Sequence, residues 1–183
     1  MNKTLIIVAH PNLQQSTVNR CWVQALRQHP DHLTMHDLYG RYPDGKIDVA
    51  AEQTLVEAHA NLVLQFPVYW FSSPPLLKQW QDEVLTHGWA YGSKGKKLRD
   101  KKIGLAVSAG TPTEDYAKDG AIGHSINEVL LPFKCTVQYV SASWQPPFVF
   151  HDIDSHAGRD DAARKRVEQS ADDYLAHLER HYR

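Results

Sequence analysis

Residues 61 to 80, NLVLQFPVYWFSSPPLLKQW, place the tightest limit on what this chain can become. Leu62-Val63-Leu64 is an unbroken apolar run, the composition of a strand covered on both faces. Behind Pro74-Pro75, the residues Leu77, Trp80 and Val84 recur at helical spacing. Proline suits the first turn of a helix, where its missing amide would have had no partner. A doubly covered strand feeding a helix belongs in a parallel sheet between helical layers. Between the two lies Pro67-Val68-Tyr69-Trp70-Phe71-Ser72-Ser73, a loop with three successive aromatic rings. Connections are ordinarily polar because their backbone groups need water. Rings in such a place are core or subunit contacts, or they lie against a flat apolar ligand.

The rest of the chain repeats the alternation. Lys3 to Ala9 reads as a central strand, and His10 to Ser16 as the loop after it. Val18, Cys21, Trp22, Ala25 and Leu26 stripe the next helix, with Ser16 placed to cap it and Pro30 to stop it. His32 to Leu38 alternates like an edge strand, Tyr39 to Asp48 is turn-rich, and a helix runs from about Asp48 to His59. Gly88 to Lys102 is a long excursion ending in a basic run, either a solvated loop or a site for nucleotide phosphate. Lys102 to Ser108 is a strand, and Ala109-Gly110-Thr111-Pro112 its exit. Ile122, Ile126, Val129, Leu130 and Phe133 predict a fourth helix ending at about Pro132, and Cys135 to Ser143 a fifth strand. Trp144 to Phe150 reads as an apolar, proline-rich exit loop, and Val167, Ala171, Tyr174, Leu175 and Leu178 stripe a closing helix. Five strands alternating with helices specify an α/β sandwich, and the pattern alone is consistent with either doubly wound strand order.

At 183 residues the chain forms one domain with one good core, without internal repeat or low-complexity linker. Its 20 basic and 21 acidic residues nominate neither nucleic acid nor an anionic membrane surface as a partner. Cys21 and Cys135 sit in separate apolar segments, as buried free thiols of a reducing compartment would. The chain shows neither a signal region nor an apolar run long enough to cross a bilayer, which points to the cytoplasm. The 11 histidines are scattered, without an HExxH, a CxxC or a carboxylate–histidine cluster at ligand spacing; His177 and His181 fall one helical turn apart, close to the end of the last helix.

FPVYWFSSPPLLKQWQDEVL resembles the flavin loop of the flavodoxin-like NAD(P)H:quinone oxidoreductases, and HGWAYG at 87–92 is similar to their following loop. The resemblance runs from Lys3 to about Phe150. It is strongest to the small FMN reductases that include ancillary proteins of glutathione-gated potassium-efflux systems. It implies a flavodoxin-like five-stranded parallel sheet in the order 2-1-3-4-5. Ligands of that fold lie beyond the carboxyl ends of strands one and three. The resemblance further implies that His10, Ser16, Thr17, Val18 and Asn19 hold the phosphate and ribityl end of FMN. Pro67, Val68, Tyr69, Trp70 and Phe71 would face one edge of the ring, and Ser108, Ala109, Gly110 and Thr111 the other. The physical counterpart at the first loop is a helix opening, whose unpaired amides suit a phosphate; Ser16 as a plain cap is the simpler alternative. Family members often carry Thr-Thr-Gly-Gly where this chain has Ser108 to Thr111.

By spacing, the tyrosine that assists the reduced flavin in the family falls on Tyr116, while the histidine position falls on Ile122, leaving His124 as the substitute. The implied reaction is hydride transfer from NAD(P)H to flavin N5 and then to a quinone or similar flat electrophile, by ping-pong turnover in one shared slot. FMN fits a chain this short better than FAD. The exit loop Trp144 to Phe150 would be an exposed apolar patch on a monomer, so a homodimer is expected. A regulatory role on a membrane potassium-efflux transporter, at the inner face of the membrane, is the alternative of a different class.

Overall fold

The computed structural model describes residues 3–152 and 160–182. Strand β1 (Thr4–Val8) pairs in parallel with β2 (Leu33–Asp37) on one side and β3 (Asn61–Pro67) on the other. Beyond β3 comes β4 (Lys102–Ser108), which carries two short parallel neighbours, β5 (Ser143–Trp144) and β6 (Phe148–Phe150). The order β2-β1-β3-β4-β5 is the flavodoxin-like one. Every residue of β1 and β3 is buried, whereas β2 is half-buried throughout, as an edge strand should be.

In chain order the helices are α1 (Val18–Leu26), the single turn α2 (Leu38–Arg41), α3 (Val49–Glu57), α4 (Pro75–Val84), the single turn α5 (Ile126–Val129), α6 (Leu131–Tyr139) and α7 (Asp161–Tyr182). Alternate strand residues point to opposite faces, so each doubly covered strand feeds two cores. Leu5, Ile7, Leu62, Leu64 and Leu105 pack with Val56 of α3, Trp80 of α4 and Phe133 of α6. Ile6, Val8, Val63 and Ala106 face the other way, onto Trp22 of α1 and Tyr174 of α7. Pro75 occupies the first turn of α4, as the sequence predicts.

The region after β4 departs from expectation. Cys135 to Tyr139 is helix, not strand, because Phe133, Val137 and Val140 are the buried positions and their spacing is helical. Pro132 opens that helix instead of ending the previous one; a proline tolerates a first turn as well as it enforces a stop. The fifth strand is the stretch read as an exit loop. It is broken at Gln145 to Pro147, since consecutive prolines have no amide to give a ladder. Cys21 is half-buried and Cys135 exposed, so the expectation of two buried thiols does not hold.

A buried carboxylate fastens β2 to α3 and α4. Glu52, 1% exposed, accepts from Tyr42 Oη at 2.7 Å and Trp80 Nε1 at 2.8 Å. His36 Nε2 lies 2.9 Å from Glu52 Oε1, close but off the line of a good hydrogen bond. Burial taken alone would raise this carboxyl, yet the His36, Tyr42 and Trp80 contacts outweigh it and hold the group below the usual glutamate range. A depressed folded value means that the stabilisation is complete above the unfolded pKa of roughly 4.3 and is lost as pH falls through the folded value. Glu52→Gln should therefore flatten the acid limb of unfolding free energy against pH in urea titrations. An acid limb as steep as that of the parent would contradict this role.

Candidate active site

The carboxyl ends of the strands make one rim, β3 and β4 ending level and β1 two residues short of them. Val8 pairs with Gln65, Pro67 with Ser108, and Ser108 with Phe150. The ladder runs one step further into the loops: Ala9 N donates to Gln65 O, Val68 N to Ser108 O, and Ala109 N to Phe150 O, each at 2.8 Å. The loops after β1, β3 and β4 thus leave from one rim. α1 follows β1 onto one face of the sheet, and α4 follows β3 onto the other, so the chain parts above β1 and β3 and leaves a crevice there.

The first loop runs from His10 through a 3₁₀ turn at Leu13–Gln15 into α1. Ser16 Oγ accepts from Asn19 N at 3.1 Å, the bond of an N-cap. Thr17 is half-buried, Val18 and Asn19 are buried, and the first turn carries no acidic residue to compete for its amides. This end of the helix therefore suits an anion. Asn12 N donates to His10 Nδ1 at 3.0 Å, so the neutral imidazole carries its proton on Nε2. Burial lowers the pKa of His10, Asp37 pulling less strongly the other way; the ring is a neutral donor at pH 7.

The second loop holds a feature with no signature in its composition. Tyr69 and Ser72 exchange both backbone hydrogen bonds at 2.9 Å, closing a two-residue hairpin. Its tip is Trp70 at φ 48° and Phe71 at φ 61°. Positive φ at both central positions is the type I′ geometry, normally given to Asn-Gly because a Cβ crowds the backbone there. Bulky residues held this way cost about 1–3 kcal/mol each, and such strain gathers at binding and catalytic sites. Trp70 is 94% exposed, Phe71 51% and Tyr69 41%, so burial returns little of that energy. Pro67 is buried and Val68 half-buried behind them.

In the third loop Ser108 and Thr111 are half-buried, Ala109 is buried and Gly110 exposed. Tyr116 closes a 3₁₀ turn, Thr113–Tyr116, and is 6% exposed. Its ring meets the His151 ring edge-on, centroids 5.2 Å apart at 60°. Burial raises the Tyr116 phenol, a hydrogen bond with Thr111 opposing it, so the hydroxyl keeps its proton across the neutral range. His151 Nδ1 is 3.3 Å from Thr111 O; a carbonyl only accepts, so Nδ1 carries a proton and donates it. His124 is exposed in the turn before α5. The histidine that the fold brings to Tyr116 is His151, at the end of β6 and 35 residues further along the chain. Sequence spacing could not find it, because the strand that delivers it read as a loop.

The basic run from Lys94 to Lys102 is not at this rim. Lys102 pairs with Asn61 at the opposite, amino-terminal end of the strands, and Lys97 Nζ donates to Glu57 at 2.6 Å. Lys101 is bonded to His59 O. No group of three or more His, Cys, Asp or Glu that could hold a metal occurs among the described residues. Nor is any helix among them long and apolar enough to cross a membrane.

The residues at the rim fit FMN on three counts. An uncompensated helix opening suits its phosphate, and an exposed aromatic hairpin suits its ring. Two buried side-chain oxygens, Gln65 Oε1 and Ser73 Oγ, also lack any partner among the described residues.

A family model described as a flavodoxin-like fold matches residues 2–178. A Bacillus subtilis protein named uncharacterized NAD(P)H oxidoreductase YrkL is 46% identical over 173 residues, 94% of this chain and 97% of that one. The glutathione-regulated potassium-efflux system ancillary protein KefG of Erwinia tasmaniensis is 38% identical over 149 residues, 81% of this chain and 80% of that one. Among solved structures, general stress protein 14 of Treponema denticola in complex with FMN superimposes with a TM-score of 0.92 at 60% identity, covering 97% of this chain and 98% of that one. An NADPH-quinone reductase from P. pentosaceus gives a TM-score of 0.80 at 30% identity, covering 94% and 96%.

If the hairpin tip is strained, replacing Trp70 and Phe71 together by Asn and Gly should stabilise the fold, by about 1–3 kcal/mol in urea unfolding. A loss of stability would show that the two rings are held by packing and not against it.

Proposed function

The chain belongs to the flavodoxin-like-fold family whose model spans it, and from that premise we propose that it is an FMN-dependent NAD(P)H:quinone oxidoreductase. The observation that carries the reading is the juxtaposition of an exposed, strained aromatic hairpin with an anion-ready helix opening across one crevice. FMN in the complex of the 60% identical Treponema protein supports the cofactor. The names of YrkL and of the NADPH-quinone reductase from P. pentosaceus support the nicotinamide donor and the quinone-type acceptor.

His10, Ser16, Thr17, Val18 and Asn19 hold the phosphate and ribityl end, with His10 Nε2–H and the first amides of α1 as donors. Pro67, Val68, Tyr69, Trp70 and Phe71 form one wall for the ring, and Ser108, Ala109, Gly110 and Thr111 the other; Gly110 permits close backbone approach. FMN held there would supply two-electron hydride chemistry between NAD(P)H and the acceptor. Tyr116 keeps its proton at neutral pH and would offer it as a hydrogen-bond donor to the ring of the cofactor. His151 orients Tyr116 through their ring contact and the shared Thr111; His124 would have to leave solvent to take that part. Excluding water falls to the hairpin and to a second copy of the chain, in a cytoplasmic homodimer.

Trp144 to Phe150, half-buried in β5, β6 and the turn between them except for the exposed Pro146, contributes to the contact between the two copies. Leu131 and Tyr139 on α6, 48% and 70% exposed, and Trp70 are further exposed apolar side chains that such a contact would cover. The likeness to KefG favours a second reading, in which the flavoprotein also serves a membrane potassium-efflux system as an ancillary subunit. The two roles are compatible.

The reading predicts a yellow protein that releases FMN, and parallel double-reciprocal plots when NAD(P)H is varied at several fixed quinone concentrations. Intersecting lines would require both substrates to be bound at once and would contradict a single shared slot.

A further inference from the structure

Beneath the three loops runs a short chain of buried side-chain hydrogen bonds, and its direction is fixed at one end. Gln65 of β3 is 0% exposed, with Nε2 at 3.3 Å from Asn19 O and 3.2 Å from Asn19 Oδ1. A main-chain carbonyl can only accept, so the Gln65 atom facing it is the amide nitrogen. That nitrogen donates in turn to the Asn19 side-chain oxygen, which leaves Asn19 Nδ2 turned toward Ser108 Oγ at 2.9 Å. Nδ2 has only protons to offer, so the Ser108 oxygen must accept and its own proton points elsewhere. Asn19 is 1% exposed, and turning either amide over would set like atoms against each other away from water.

Two further facts argue that this chain is more than packing. Gln65 shares its face of the sheet with Val63, Ile6, Val8 and Ala106, where an aliphatic side chain would fill the space without a polar penalty. Its Oε1 has no partner among the described residues, so the residue carries a buried oxygen that they leave uncompensated. Ser108, the last member, is half-buried at the end of β4, on the rim of the crevice. Its main-chain oxygen is already used by Val68 N, which leaves the hydroxyl as the group it can offer.

We propose that Gln65 and Asn19 are positioning residues that lock the Ser108 hydroxyl as a hydrogen-bond donor to an acceptor atom of the ligand in the crevice. This rests on the FMN reading above. The relay biases polarity: Asn19 Nδ2 occupies one lone pair of Ser108 Oγ and turns the hydroxyl proton away from itself, so the site favours a ligand edge rich in acceptors over one that presents an N–H.

The test is a double-mutant cycle on the apoprotein, read by quenching of FMN fluorescence. Gln65→Met keeps volume and removes the donor; Ser108→Ala removes the end of the relay. Each single change should weaken FMN binding roughly three- to tenfold, the worth of one neutral hydrogen bond. In the Ser108→Ala background, Gln65→Met should add nothing to the loss of FMN affinity. Equal losses of affinity in both backgrounds would overturn the relay. Where Gln65→Met fails to fold, Gln65→Glu serves. Its carboxylate draws Asn19 Nδ2 inward, reverses the chain, and should cost at least as much FMN affinity as Ser108→Ala; parent-like binding would overturn the proposal. A flat FMN titration of the unmutated chain would reject the function reading itself, which is a different outcome from tight binding without coupling.

Discussion

The structure depends on β3 being sealed. With β1 hydrogen-bonded on one edge, β4 on the other and a helical layer over each face, its seven residues have no route to water except through their ends. Backbone polar groups in such a place must be spent in the ladder, and side chains must be apolar or matched. Chemistry is thereby excluded from the length of the strand and confined to where it stops. Because the chain turns onto opposite faces after β1 and after β3, the end of β3 is also where the covering layers part. A crevice at that point is a consequence of connectivity, whatever side chains are placed around it.

What the side chains add is local disagreement with the rules that govern the rest. A tight hairpin carries Trp-Phe where geometry favours Asn-Gly, and an otherwise aliphatic strand face carries a glutamine with one oxygen unmatched. Consistency across levels makes a sequence foldable, so departures from it cluster where something besides folding is being selected. Both departures here lie at the same end of the same strand. The buried Glu52 cluster is a contrast: its carboxylate is matched by Tyr42 and Trp80, and it joins elements without reaching the crevice.

The legible parts of the fold were those with strong, uninterrupted patterns. Leu62 to Leu64, Leu5 to Val8 and Leu105 to Val107 announce doubly covered strands, and the stripes of α1, α4 and α7 follow plain helical periods. The stretch from Ile122 to Phe150 misled because each cue there has two meanings. Pro132 opens a helix as readily as it closes one, and β-branched Thr136, Val137 and Val140 sit as well on α6 as in a strand. The strand that does form is split by Pro146-Pro147 and resembles a loop. The site followed the same division. The residues of the three loops converge on one rim because strand ends define it, while His151 arrives on the misread strand and the relay from Gln65 needs coordinates to be seen.

The central claim is that one crevice takes a phosphate at the opening of α1 and a flat ring against the Tyr69 to Phe71 hairpin. Diffraction from crystals soaked with FMN tests it most directly. The account predicts density continuous from the amides of Thr17 and Val18 to the hairpin, with Ser108 Oγ within hydrogen-bonding distance of an acceptor atom of FMN. Density for FMN at another surface, or a crevice closed by the protein's own side chains, would contradict it.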